Sequence, residues 1–195
     1  MEPILSVRLP DGKLFEIHID EDPEDPRTWD NFGTMVCWHR RYSLGDRHDF
    51  QTPDDFMEWW EENGKDGVLL PLYLYDHSGI TMSTSSFSCL WDSGQVGYIY
   101  ATADRIMKEF GPPEPLLCRI ANRPSTEMLE KAKRLLKSEV ETYDMYIRGD
   151  VYGFTIKDEN GTYSDSCWGY YGDIKESGIL DELTPEGREA VLAEL

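Results

Sequence analysis

Two turn dipeptides limit what this chain can become. Alternating segments flank Asp11-Gly12 in "SVRLPDGKLFEIHID" and Asn160-Gly161 in "VYGFTIKDENGTYSDSCWGYYG". Asp-Gly and Asn-Gly supply the positive φ angles of tight hairpins, so each pair of segments should fold back on itself antiparallel. In the first pair the strands are expected near 4–9 and 13–19. Further strand-like runs are "TMVCWHRRY", 68–75, 79–83 and 95–101. Pro71 demotes the 68–75 run toward an edge or a bulge, because proline has no N–H for the ladder.

Helical patterns are few and clustered. "TPDDFMEWWEENG" has Thr52 as N-cap, Pro53 in the first turn and Gly64 as stop, with Phe56, Trp59, Trp60 and Met57 as its buried stripe. "ADRIMKEF" follows Thr102 and closes at Gly111 and two prolines. The longest helix opens at Ser125 or Thr126, with Met128, Leu129, Leu135, Leu136, Val140, Tyr143 and Ile147 at helical spacing. Residues 173–195 read as a C-terminal helical extension, its second helix begun by Thr184-Pro185. No repeat and no low-complexity linker interrupts the chain. The expectation is therefore a single α+β domain over 1–195: a mainly antiparallel sheet, one long helix and several short helices.

Charge narrows the partners. The chain has 38 acids against 19 bases, net −19. Residues 1–66 hold 17 acids and 7 bases, 67–149 hold 10 and 9, and 150–195 hold 11 and 3, so acidity lies at both ends. Such a field repels nucleic acid and anionic membranes and attracts basic partners. No apolar run is long enough to span a bilayer, and the N-terminus lacks the basic start and apolar run of a secretory signal. A cytoplasmic protein is expected. Cys37, Cys89, Cys118 and Cys167 form no CxxC pair, and apolar or aromatic neighbours (Trp38, Leu90, Leu117, Trp168) mark them as small core hydrophobes in a reducing compartment.

Three candidate sites follow. Period two along "TMVCWHRRY" puts Cys37, His39 and Arg41 on one strand face, where a thiol and an imidazole could meet. "DHSG" and "CLWDSGQ" hold Asp76, His77, Ser78, Ser88, Cys89, Asp92 and Ser93, the residue types of a hydrolase, although the same letters also make good turns. Cys37, His39, Arg41, Asp76, His77, Cys89 and Asp92 thus form a candidate ligand cluster. GxSxG, HExxH, GxxxxGK[ST] and GxGxxG are absent, no metal-ligand spacing appears, and "DENGTYSD" departs from a calcium loop in its glycine position and missing distal glutamate. No metal, cofactor or catalytic residue is therefore expected. The third candidate is acidic: Asp20, Glu21, Asp22, Glu24 and Asp25 in one loop, and Asp54, Asp55, Glu58, Glu61 and Glu62 on the first helix. Ordered carboxylates can imitate the charge density of a duplex and occupy a basic groove.

At "TMVCWHRRYSLGD", "LYDHSGITMST", "DSGQVGYIY" and "DVYGF" the chain resembles a family of small acidic proteins encoded by bacteria, phages and mobile elements. The resemblance implies no activity or catalytic residue. It implies a mobile-element setting in which inhibitors of nucleic-acid-targeting defence are common. The combined expectation is a protein that acts by binding a basic, nucleic-acid-binding host protein, with a small-ligand site or hydrolase at the polar cluster as the alternative.

Overall fold

The computed structural model describes residues 2–89, 91–114, 118 and 120–195. Leu90 and Leu117, named above beside two cysteines, lie outside them. Along the chain run β1 (Leu5–Arg8), β2 (Leu14–Ile19), β3 (Thr34–Cys37), α1 (Pro53–Asn63), β4 (Val68–Asp76), β5 (Ile80–Ser83), β6 (Ser93–Ala101), α2 (Ala103–Phe110), α3 (Thr126–Arg148), β7 (Val151–Lys157), β8 (Tyr163–Tyr171) and α4 (Pro185–Leu192). Short 3-10 turns cover Pro26–Thr28 and Ile179–Glu182. The α+β class with antiparallel pairing is the one expected, but the strands divide into two four-stranded sheets. Each sheet belongs to one of two compact units: a terminal unit of the chain up to Pro26 and from Met145 onward, and a central unit of Arg27–Asp144.

In the terminal unit the sheet order is β1-β2-β7-β8. Gly12 and Gly161 take φ of 90° and 81°, and the Asp158 carboxylate accepts the N–H groups of Asn160 and Thr162. "DENGTYSD" is thus an Asx-stabilised hairpin turn. Val7, Phe15, Ile17 and Phe154 point to one side of this sheet and pack with Ile179, Leu180 and Val191, all at most 6% exposed. The C-terminal segment is therefore no extension. It covers an apolar sheet face that would otherwise meet water.

In the central unit the order is β3-β6-β4-β5. Pro71 stands in the half of β4 that pairs with β6 alone, one residue before a bulge at Leu72/Tyr73, so the missing N–H is tolerated. Thr52 and Asp55 form a reciprocal capping box at the start of α1. Phe56, fully buried, joins Trp59, Trp60, Tyr98 and Tyr100 in an aromatic cluster with centroids 5.4–6.3 Å from its ring, which fixes α1 to β6. Within α3 the buried stripe is Met128, Ala132, Leu136, Val140 and Tyr143, each an i+3 or i+4 step. Leu135, expected inside, is 39% exposed because it falls a quarter-turn off that stripe.

Candidate functional site

The loop after β3 decides the fate of the cysteine–histidine pair. Regular pairing stops soon after Cys37, and residues 38–48 fold back so that Asp46 N–H donates to the Met35 carbonyl at 2.8 Å. Gly45, at φ 71°, makes this close approach possible: a Cβ there would lie 2.8 Å from the same carbonyl and 3.3 Å from Cys37 Sγ. Beneath the loop, Arg27, whose side chain is 3% exposed, forks onto Asp46 at 2.8 and 2.7 Å and reaches Glu139 at 3.0 Å. Burial, followed by the charge of Asp46, pushes the Cys37 thiol up to about 12, against the opposing pull of Arg27. These surroundings favour the protonated thiol over the thiolate that would act as a nucleophile.

Among the described residues no hydrogen bond or ion pair joins Cys37 to His39 or to the rest of the expected cluster, although Cys37, His39 and Arg41 line one cavity. His39 sits in a surface turn, where Nδ1 accepts the Tyr42 N–H at 3.2 Å and the ring stacks on Tyr42 at 5.0 Å. The strand ends at Cys37, so period-two alternation does not extend to His39 and Arg41. The other six members do converge. The Arg41 guanidinium pairs with Asp76 at the end of β4, and the Tyr42 hydroxyl donates to the same carboxylate at 3.4 Å. The Asp76 N–H donates to the Asp92 carbonyl at 2.8 Å, joining the two loops. His77 Nδ1 stands 3.4 Å from Asp92 Oδ2, and the Cys89 thiol donates to that oxygen at 3.6 Å. The Ser93 hydroxyl donates to the Cys89 carbonyl. A cavity of about 310 Å³ is lined by His39, Arg41, Asp76, Trp91, Asp92 and Ser93 among others.

This is a polar pocket in which Asp92 stands between thiol and imidazole. The thiol–imidazole contact that would activate a nucleophile is not made, so the arrangement suits hydrogen bonding to a ligand better than covalent catalysis. "DHSG" is the β4–β5 turn, with Ser78 at φ 58° and Gly79 at φ 154°. None of the four cysteines is a fully buried core residue: Cys37, Cys89 and Cys118 are half-buried, and Cys167 is exposed on β8. Among the described residues no group of three His, Cys, Asp or Glu is placed to hold a metal ion. No described helix is long and apolar enough to cross a membrane.

The carboxylates fall on two ordered surfaces, one per unit. On α1, Asp54, Asp55, Glu58, Glu61 and Glu62 are all exposed. At 100° per residue they occupy an arc of roughly 120°, opposite Phe56, and span about 12 Å of axis. Asp55 is engaged by the cap; among the described residues Asp54, Glu58, Glu61 and Glu62 have no ion-pair partner. In the terminal unit the 20–25 loop is tied down by the Asp20 N–H to the Val151 carbonyl at 2.8 Å and by the Tyr171 hydroxyl to the Glu24 carbonyl. Burial and then the charges of Glu24, Asp20 and Asp25 push the Tyr171 hydroxyl up to about 12, a local measure of that negative field. The buried Arg27 fork was the residue set that sequence reading missed, since its partners stand 19 and 112 positions away. No family model, curated protein or solved structure matches this chain.

Proposed function

We propose that this protein acts by binding, using carboxylates held on rigid backbone to engage a basic, nucleic-acid-binding protein. The observation that carries the reading is α1. Five carboxylates within one arc, over about 12 Å, give roughly one charge per 3 Å, against about one per 1.7 Å for duplex DNA. Charge at that density competes for a cationic groove when it is unneutralised and the backbone that gathers it is already ordered. The aromatic cluster under α1 and the capping box at its start hold it in place. A mobile-element setting, in which defence proteins with basic clefts are targets, agrees with this chemistry by analogy only.

The test is affinity capture from the native host at low salt, comparing the wild type with a variant carrying Asp54→Lys, Glu58→Lys, Glu61→Lys and Glu62→Lys. Asp55 is spared because its carboxylate accepts the Thr52 N–H. A nucleic-acid-binding protein should be retained by the wild type, eluted by moderate salt and lost from the variant. Capture of the same partner by both would defeat the reading.

The convergence of Arg41, Asp76, His77 and Asp92 favours a second reading, a small polar ligand in the 310 Å³ cavity. The two are told apart by Asp76→Asn with Arg41→Ala, which should leave partner capture intact under the first and abolish biological activity under the second.

A further inference from the structure

The terminal unit carries 19 acids against 6 bases, net −13, while the larger central unit carries 19 against 13. It also carries an open edge. Of the four edge strands among the described residues, β1, β3 and β5 are four residues long, a length that offers little to an incoming chain. β8 has nine residues, pairs only with β7 among the described residues, and contains no Lys, Arg or Pro. Lys and Pro are among the residues proteins use to block an edge; register shifts at Tyr152/Gly153 and Ile156/Lys157 bound the regular stretch of the edge to residues 165–168.

The side chains beside this edge suit one kind of occupant. Tyr163, Ser166 and Trp168 face Lys157, Thr155 and Gly153 across the β7–β8 ladder and share a face with them. Trp168 lies on the bare Gly153 backbone, where a Cβ would come within 2.1 Å of its ring, and it stays 41% exposed. Tyr163 already carries a cation, the Lys157 ammonium, 4.9 Å from its centroid. Trp168, the better cation–π partner, has no cation over it among the described residues. Between the two rings runs a shallow trough of about 560 Å³ floored by Thr155 and Ser166. Its length, four β7 positions or about 13 Å, matches three alternate side chains of an extended segment. Asp165, opposite Ile156 in the ladder, belongs to the other face; its carboxylate accepts the Ser166 N–H at 2.8 Å and adds a negative charge to the edge that favours a Lys or Arg of an incoming strand.

We propose that β8 is a docking edge for an extended, Lys- or Arg-rich segment of a partner, which adds as a fifth strand and lays a cationic side chain over Trp168. This mode is strand addition: main-chain hydrogen bonds supply affinity, and the trough selects charge. It shares with the reading above only the basic character of the partner, and it lies on the other unit.

The experiment measures fluorescence anisotropy of a labelled eight-residue peptide alternating Arg and Val, beside the same peptide N-methylated at alternate amides. Methylation keeps the charge and removes the strand pairing. Affinity should fall at least tenfold on methylation and at least tenfold with Trp168→Ala, and should be unchanged by the four α1 reversals. Equal binding of the methylated peptide would reduce the effect to general attraction and overturn the proposal, as would an inert Trp168→Ala. Loss of peptide binding in the α1 variant would also overturn it while leaving the α1 reading standing. Displacement of the peptide by a neutral oligosaccharide would assign the trough to sugars, and a wild-type dimer dissolved by Trp168→Ala would assign the edge to a second copy. Either result overturns it.

Discussion

Arg27→Ala should destabilise the central unit by about 3 kcal/mol. The guanidinium makes two bonds to Asp46, one to Glu139 and one, at 2.8 Å, to the Gly33 carbonyl. Removing it leaves two carboxylates, 21% and 16% exposed at the side chain, without their counter-charge. Each retains backbone donors: Met35 N–H at 2.7 Å on Asp46, and the Phe32 and Gly33 N–H groups on Glu139. Breaking a buried pair from one side costs about 3–5 kcal/mol, and the residual donors and water access place this case at the lower end. Against a typical domain stability of about 5–15 kcal/mol the loss is large. Arg27→Lys should recover about half, because a single ammonium cannot fork onto one carboxylate and reach the other. Urea unfolding followed by Trp fluorescence measures the loss, and amide exchange of residues 38–48 localises it. The same loop carries His39 and Arg41, so the variant should also loosen the Arg41–Asp76 pair. An unfolding midpoint unchanged within about 0.5 kcal/mol, with native exchange in that loop, would refute the reasoning.

Two further outcomes follow from individual side chains. Burial lowers the pKa of His18, with Lys157 adding to the effect and Glu16 opposing it, so the folded state favours neutral imidazole. Its contribution is present above about pH 6.5 and is lost as pH falls from there through the folded value. Urea midpoints of the wild type should therefore drop more between pH 7.5 and 5 than those of His18→Gln; parallel curves would count against it. Burial and Asp46 push the Cys37 thiol up to about 12, so it should react more slowly with a disulfide reagent than exposed Cys167. Mass spectrometry of the labelled sites after short exposure reads this directly, and equal labelling would show that the loop does not seal Cys37.

Local chemistry made the elements legible. Thr52, Pro53 and Gly64 bound α1 within a residue, and Asp11-Gly12 and Asn160-Gly161 lie in the hairpin turns they were read to form. Those signals act between neighbours, through caps and φ preferences that need no distant partner. The carboxylate arc on α1 was legible for the same reason, since helical period alone puts its five acids on one side. The polar pocket was legible only as a set of letters. Its convergence depends on β4 and β6 lying side by side, and the folding of the 38–48 loop over Cys37 depends on Gly45 and on Arg27 holding Asp46.

By itself the sequence determined the class, the turn positions, the helix boundaries and the surplus of 19 negative charges. Tertiary structure alone decided that the strands would form two sheets, with β2 paired to β7 across more than a hundred residues, and that the C-terminal segment would close a core. The reason is range: caps and turns are settled by contacts within about four residues. Which apolar faces meet, which edge stays open and which charges are buried is settled by the packing of the whole chain.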